Sequence, residues 1–197
     1  SEVAFSFGAT GQLYAQITQG APFDAFFSAD AATPTRLLDE GFAIEGSDFT
    51  YAVGKLVLFS TDPDRVTGPE SLEADFTHLA IAEPAAAPYG AAAVEVIDTL
   101  GLTDALAGRL VIGQNISQAY QFVDTANAEL GFVALSQVAD REDGSRWVVN
   151  EDLYAPITQD AVLLNADNQT AAAFLDFLAS DTARAIIESY GYGFPAR

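Results

Sequence analysis

The sequence predicts an α/β fold, and two observations support this prediction. Segments with apolar residues at helical spacing alternate with short apolar runs typical of strands along the whole chain. Half of the 197 residues are hydrophobic, which is enough for a sizeable core and argues against disorder. We therefore expect helices packed on sheets throughout the chain.

The first stretch, FGATGQLYAQI at residues 7–17, predicts a strand end, a glycine-rich turn and a helix. Residues 3–7 alternate between apolar and other side chains as in a strand, and apolar residues from Leu13 onward recur at helical spacing. Thr10 is the expected N-cap. A helix start of this kind presents unpaired N–H groups and a partial positive charge, which favour an anion. The alternative is an ordinary capped helix after a strand.

The later elements follow from the same patterns and from turn residues. Strands are expected at residues 23–29, 51–60, 78–82, 110–113, 130–135, 147–149 and 161–164. Helices are expected after Thr33-Pro34 with a stop at Gly41, and at residues 71–76, 88–100, 115–126, 169–179 and 182–190. No internal repeat, low-complexity segment or Ser/Gly linker interrupts this order.

The net charge excludes several classes of partner. Asp and Glu number 28 against 8 Lys and Arg, which gives a formal charge of −20. So acidic a chain is not expected to bind nucleic acid or an anionic membrane surface. An anionic ligand would have to be held by local dipoles and hydrogen bonds, because the overall field repels it.

The same acidity predicts that stability depends on salt. Lys55 is the only lysine, so most surface charges repel one another unless salt screens them. We expect the melting temperature to fall as the salt concentration is lowered. Thermal unfolding at high and at low NaCl measures this, and a melting temperature independent of salt would contradict it.

The sequence contains no signal for a membrane span or a leader. No run approaches the roughly 18 to 20 apolar residues of a membrane helix, and SEVAFSFG at the start lacks the basic segment and cleavage site of a signal peptide. We expect either a cytoplasmic chain or one whose leader has been removed. The absence of Cys excludes disulfides, thiolate zinc sites and Cys nucleophiles.

Residues suited to catalysis are scarce. The single histidine, His78, begins an apolar strand and is expected to be structural or on the surface. No serine lies in a G-x-S-x-G motif, and neither a P-loop nor a dinucleotide-binding G-x-G-x-x-G is present. Asp30 and Asp160 flank strands and are interpreted as structural caps, with pocket walls as the alternative. We therefore expect no enzyme and no catalytic residue.

Four turns share a different pattern: in each, a strand ends in small or polar residues that begin a helix or loop. They are residues 8–11, 84–90, 113–117 and 134–137, and none contains Lys or Arg. Ligands of open α/β sheets bind beyond the carboxyl ends of strands, where such turns converge. Helix N-termini gathered there form an anion site without basic side chains.

In this order, the motifs resemble the molybdate-binding periplasmic proteins of molybdate ABC transporters. The motifs are FGATGQLYAQI, GAPFDAFFSAD, TYAVGKLVLFS, AIAEPAAAPYGAAA, GQNISQAYQFV, AELGFVALSQV, PITQDAVLL and the closing YGYGFP, and they span essentially the whole chain. The resemblance implies a two-lobed class II periplasmic binding protein, each lobe a mixed sheet flanked by helices, with the ligand in the cleft between lobes. Lobe I would comprise residues 1–52 and 157–197, and lobe II residues 53–156.

The resemblance also implies the oxyanion-binding residues. Thr10 matches the hydroxyl residue at the first helix start, and Tyr89 in APYG matches a ligand contact of the second lobe. Ile116 in GQNIS matches a residue that donates its backbone N–H, so its side chain is nearly free to vary. The full expected set is Thr10, Gly11, Tyr89, Asn115, Ile116 and Ala134.

Ala134 departs from the family pattern, because some relatives place a ligand-contacting tyrosine there. The hydroxyl is missing in this chain, and Tyr89 is expected to supply the equivalent donor. No cofactor and no direct metal coordination by the protein are expected, since the metal enters as molybdate or tungstate.

A second departure is at the start. Family members begin with a further strand and helix whose turn contacts the ligand, and this chain begins at what would be the second strand. We expect an incomplete sequence, or a segment supplied by another chain that completes lobe I.

The resemblance therefore implies an extracytoplasmic receptor that captures molybdate, and also tungstate, and delivers it to an ABC permease. Two alternatives remain open. One is a receptor for another oxyanion such as sulfate or thiosulfate, and the other is a truncated interaction protein of the same fold without a transport role.

Overall fold

The computed structural model describes residues 3–195 of a chain whose strands form two separate sheets. One unit runs to Gly54 and resumes at Ile157, and the other spans Lys55–Pro156. The strands are β1 (Ala25–Ser28), β2 (Phe49–Gly54), β3 (Leu56–Ser60), β4 (Leu79–Ala82), β5 (Leu110–Gly113), β6 (Leu130–Ala134), β7 (Ser145–Val148) and β8 (Ile157–Leu163). The helices are α1 (Thr10–Thr18), α2 (Ala32–Asp39), α3 (Pro88–Thr99), α4 (Thr103–Leu106), α5 (Ile116–Asp124), α6 (Leu135–Val138), α7 (Gln169–Leu178) and α8 (Asp181–Ser189). The predicted α/β class is confirmed.

The first unit is built on an antiparallel sheet in the order β1-β8-β2. Because side chains alternate along a strand, β8 contributes to a core on each face of this sheet. On one face Phe26 and Val162 pack with residues of α1 and α2, including Ile17 and Leu37. On the other face Ala161 and Leu163 pack with Leu175 of α7, among others.

The second unit is built on a mixed sheet in the order β5-β4-β6-β3-β7. The strands β4, β5 and β6 are parallel, and β3 is antiparallel to both β6 and β7. The carboxyl ends of β4, β5 and β6 therefore lie at one edge of the sheet, and each leads within a few residues into a helix, respectively α3, α5 and α6. This edge gathers three helix starts.

Two glycines let α3 and α5 approach this edge closely. A Cβ on Gly90, in the first turn of α3, would overlap the carbonyl oxygen of Ala82 at the end of β4. A Cβ on Gly113, at the end of β5, would come within 2.7 Å of the backbone nitrogen of Ala119 in α5. Larger residues at these positions would displace the helix starts, so the glycines help to position them.

Several sequence-based expectations differ from the structure. The single strand expected at residues 51–60 is two strands, β2 and β3, which pair in different sheets and are separated at Lys55. An apolar run does not reveal where strand pairing changes. The helix expected at residues 71–76 is a 3-10 turn at Pro69–Leu72, and α4 was not predicted. A second 3-10 turn spans Glu151–Leu153.

The alternating start of the chain is not a strand in the structure. Residues 3–9 have no regular secondary structure, and the rings of Phe5 and Phe7 stack on each other at 6.3 Å with Phe7 89% exposed. Alternating apolar residues form a strand only where a neighbouring strand is available for pairing. No strand of residues 3–195 pairs with this segment. In the same described range, no helix is long and apolar enough to cross a membrane.

Candidate functional site

The start of α1 differs in one respect from the expectation. The N-cap is Ala9, in an extended conformation, and Thr10 is the first helical residue. The side chain of Gln12 supplies the cap, because its Oε1 accepts the N–H of Ala9 at 3.2 Å. The hydroxyl of Thr10 is therefore not used for capping, and the sequence-based assignment of Thr10 as the N-cap was wrong.

Thr10 is buried and is fixed by a contact with the neighbouring strand. Its Oγ1 accepts the N–H of Ala29, just beyond β1, at 3.2 Å. A hydroxyl that accepts one bond keeps its hydrogen for another acceptor. Within residues 3–195 the backbone N–H groups of Thr10 and Gly11 also have no acceptor. This helix start therefore offers an oxyanion up to three donors.

The acidic residues near Thr10 have structural partners. Asp30 accepts the N–H of Thr33 at 2.7 Å and its hydroxyl at 3.2 Å, and so caps the start of α2. Asp160 of β8 is buried and accepts the hydroxyl of Thr50 at 2.9 Å. It is paired with Ser28 across β1 and β8. Both contacts support the structural interpretation of these two acids.

Asp160 predicts a pH dependence of stability. Burial raises the pKa of its carboxyl, while hydrogen bonds such as that from Thr50 oppose this effect. A raised pKa in the folded state means that ionising the Asp160 carboxyl destabilises the fold. Its contribution to the free energy of unfolding is fully present below the ordinary Asp pKa and is lost as the pH rises through the folded pKa. We expect Asp160→Asn to raise the melting temperature at pH 7 relative to the parent. This gain in melting temperature should vanish near pH 3. If Asp160→Asn lowers the melting temperature equally at both pH values, the prediction is contradicted.

In the second unit, Tyr89 is the second residue of α3 and is buried. The N-cap of α3 is Ala87 in an extended conformation, and Pro88 occupies the first helical position. Proline is favoured there because its missing N–H would have no partner in the helix. The predicted start of this helix is confirmed, and its first turn contains no acidic residue.

The start of α5 is the second clear set of donors. Asn115 is the N-cap, and its side-chain oxygen accepts the N–H of Gln118 at 2.9 Å. The Oε1 of Gln118 in turn accepts the N–H of Gln114 at 2.6 Å. Within the described residues, the N–H groups of Ile116 and Ser117 have no acceptor. Asn115 thus has a capping role, while Ile116 offers a backbone donor whatever its side chain.

Ala134 offers no comparable donor. It is the buried N-cap of α6, and its N–H donates to Oε1 of Gln137 at 3.0 Å. The Nε2 of Gln137 donates to the carbonyl oxygen of Ile116 at 3.3 Å, which links α6 to the start of α5. With neither a hydroxyl nor a free N–H, Ala134 is omitted from the donors proposed below.

Sequence reasoning missed three glutamines that support these turns. Gln12, Gln118 and Gln137 each occupy the third position of a helix. The signal was present, since Glu or Gln three residues after an N-cap is the capping-box spacing. It was overlooked because only Asn115 among the three N-caps is a residue type that predicts a cap.

Basic and metal-binding side chains are not part of these turns. The Nζ of Lys55 lies 3.6 Å from Oε1 of Glu151. The side chain of His78 is half exposed beside Glu129, and the Glu129 carboxylate accepts the backbone N–H of His78 at 2.9 Å. Among residues 3–195 no group of three or more His, Asp or Glu is arranged to hold a metal ion. The helix starts described above therefore rely on N–H and hydroxyl donors.

The chain is similar over most of its length to known solute-binding proteins. Residues 1–193 match the family model described as bacterial extracellular solute-binding protein. The chain is 56% identical to molybdate-binding protein ModA of Rhodobacter capsulatus over 193 residues, which cover 96% of this chain and 77% of that protein. It is 53% identical to molybdate-binding protein ModA of Azotobacter vinelandii over 199 residues, which cover 98% and 79%.

A solved structure, the periplasmic molybdate-binding protein of Azotobacter vinelandii, matches with a TM-score of 0.95 at 40% identity and covers 100% of this chain and 89% of that one. The resemblance to molybdate-binding periplasmic proteins is thereby confirmed, together with the expected solute-binding fold. The chain belongs to the bacterial extracellular solute-binding protein family.

Proposed function

We propose that this protein is the receptor that captures molybdate outside the cytoplasmic membrane and delivers it to an ABC permease. The observation that carries the proposal is the pair of helix starts, α1 and α5, whose first N–H groups have no acceptor within residues 3–195. The 56% identity to a molybdate-binding protein supports molybdate as the ligand.

The proposed donors are the hydroxyl and N–H of Thr10, the N–H of Gly11, the N–H of Ile116 and the hydroxyl of Tyr89. Helix dipoles add to these hydrogen bonds at α1 and α5. Because the chain has a formal charge of −20, such local donors must outweigh an unfavourable overall field. Asn115 supports the site by capping α5.

The set of donors favours a fully deprotonated tetrahedral oxyanion. Hydrogen phosphate carries an O–H group that needs a hydrogen-bond acceptor. Because the proposed contacts are all donors, its binding is disfavoured. Sulfate is smaller, and an anion that cannot reach every donor leaves some of them unpaired, which costs binding energy. Tungstate has the same shape and charge as molybdate and is expected to bind as well.

The function requires no chemical step, and the anion is released unchanged. Ligand binding shifts the population of conformations toward the form that the permease recognises. The protein therefore needs no catalytic residue and no cofactor.

Titration calorimetry with molybdate, tungstate and sulfate tests the proposal. We expect one molybdate or tungstate per chain and much weaker binding of sulfate. Tight binding of sulfate and weak binding of molybdate would favour the other-oxyanion alternative. No heat with any of these ions would refute the receptor function and favour the interaction-protein alternative.

A further inference from the structure

A buried carboxyl lies on the central strand of the first unit. Asp160 of β8 is 7% exposed, and it is paired with Ser28 of β1 on one side and with Thr50 of β2 on the other. Because side chains alternate along a strand, Asp160 lies on the same face of the sheet as Val162. Val162 packs with residues of α1 and α2, so the carboxyl lies on the face that these two helices cover.

The start of α1 lies at the same corner of this face. The Oγ1 of Thr10 accepts the N–H of Ala29 at 3.2 Å. Ala29 directly follows Ser28, the residue that is paired with Asp160. Directly opposed residues of an antiparallel pair have their Cβ atoms about 4.5 to 5.5 Å apart. The Asp160 carboxyl is therefore close to the Thr10 donors that the proposed function assigns to the oxyanion.

The surroundings of Asp160 act on its ionisation in opposite directions. Burial raises the pKa of the carboxyl, and hydrogen bonds from the side chains of Thr50 and Thr158 lower it in part. The negative charges of Asp30 and Asp48 raise the pKa again. The carboxyl is thus held by hydrogen bonds that stabilise its charge, beside acids that repel it.

No basic side chain compensates for the charge of Asp160. The ionisable groups on or next to the elements around it are Tyr14, Asp30, Arg36, Asp39, Glu40, Asp48 and Tyr51. Burial raises the pKa of Tyr51, so its hydroxyl is neutral at ordinary pH. The one base, Arg36, is paired with Glu40 at 2.9 Å, and within residues 3–195 Asp160 is in no ion pair. The nearby source of positive potential is the start of α1.

We propose that the buried carboxylate of Asp160 opposes the oxyanion at the start of α1, so that binding of molybdate is coupled to the uptake of a proton by this carboxyl. This inference rests on the proposed function. A divalent anion bound nearby makes the ionised form of Asp160 more costly, because two negative groups then share one positive helix end. The proton comes from the solvent and returns to it when the anion leaves, and the anion itself is unchanged.

This coupling predicts how the affinity depends on pH. Two coupled binding events strengthen each other by the same factor, so a proton on Asp160 raises the affinity for molybdate. The affinity should therefore rise as the pH falls through the range in which Asp160 is protonated. It should be lowest at high pH, where the carboxyl is ionised.

Asp160→Asn tests this, because the amide removes the charge and keeps an oxygen that can accept the hydrogen bond from Thr50. Asp176→Asn in α7 is the matched control: it removes the same charge from an exposed position in the same unit, on a helix that packs on the other face of the sheet. Calorimetry from pH 5 to pH 8, in two buffers of different ionisation enthalpy, gives the affinity and the number of protons taken up per molybdate. Melting temperatures without ligand show whether each variant is folded.

We expect Asp160→Asn to bind molybdate about tenfold more tightly than the parent at pH 8 and low salt, and this difference to shrink toward pH 5. The parent should take up more protons per molybdate than Asp160→Asn. Because both proteins meet the same ion, protonation of molybdate itself cancels in the comparison. Asp176→Asn should bind within about twofold of the parent at each pH.

Thr50→Val is a second test that keeps the carboxyl. Its loss of a hydrogen bond disfavours the ionised form of Asp160, so the affinity should begin to rise at a higher pH than in the parent. This variant gives an answer even if Asp160→Asn does not fold. An unchanged pH dependence in Thr50→Val would contradict the coupling.

Two further results would overturn the role of Asp160. One is equal affinity and equal proton uptake of Asp160→Asn and the parent at every pH, and the other is an equal gain in Asp176→Asn, which would assign the effect to the overall charge of the chain. If the parent binds molybdate and Thr10→Val weakens binding while Asp160→Asn behaves like the parent, only this inference fails. If the parent does not bind molybdate, the proposed function fails and this inference fails with it.

Discussion

Ile116→Pro is expected to weaken molybdate binding by about 2 kcal/mol or more, since it removes a backbone hydrogen bond to a charged ligand. Proline has no N–H, and its ring occupies the space from which the Ile116 N–H would reach the anion. The substitution is compatible with the fold, because Ile116 is the first residue of α5 and the preceding Asn115 is extended, with φ −155° and ψ 176°. Calorimetric titration measures the affinity, and the melting temperature of the ligand-free protein should stay close to that of the parent.

Ile116→Ala is the control for this experiment, because it truncates the side chain and keeps the N–H. We expect its affinity to remain within a fewfold of the parent, since the proposed contact is made by the backbone. If the alanine variant loses as much affinity as the proline variant, the side chain and not the N–H is responsible. Parent-like binding by Ile116→Pro would remove Ile116 from the donor set.

Thr10→Val is expected to weaken molybdate binding by about 1 to 3 kcal/mol, the cost of losing a hydrogen bond to a charged group. Valine has nearly the same shape, so the loss reports on the hydroxyl. The substitution also leaves the N–H of Ala29 without its acceptor, which should lower the melting temperature as well. Binding and unfolding are therefore measured on the same samples.

Thr10→Ser separates the two effects, because serine keeps a hydroxyl that can both accept from Ala29 and donate to the ligand. We expect it to retain most of the affinity and most of the stability. If Thr10→Val melts lower but binds molybdate like the parent, Thr10 only joins α1 to the end of β1. That outcome would reduce the first unit's donors to backbone N–H groups.

Much of the fold was predictable because its elements are short and clearly delimited. Strand β5 ends at Gly113 and α5 begins after Asn115, as the residues at these positions predicted. The division at Lys55 could not be predicted, since one continuous apolar run supplies strands to two sheets. The start of the chain was misinterpreted because alternation alone does not provide a strand partner.

For the candidate site, the turns were predictable and the contacts within them were not. Small residues marked the starts of α3 and α5 after strands, while α1 begins one residue earlier than expected and follows no strand. The bond from Ala29 to Thr10 joins residues 19 apart in the chain, which local patterns do not report. The capping bonds of Gln12 and Gln137 span 3 residues, and their spacing was visible in the sequence but was overlooked.

We propose that backbone N–H and hydroxyl donors, and not basic side chains, hold the oxyanion. A crystal structure of the molybdate complex, with the metal located by its anomalous scattering, tests this most directly. We expect one molybdenum atom per chain, with an oxygen of the ion about 2.7 to 3.2 Å from the backbone nitrogen of Ile116 and no lysine or arginine nitrogen equally close to the ion. Molybdate bound to a basic side chain, or away from the starts of α1, α3 and α5, would contradict the claim.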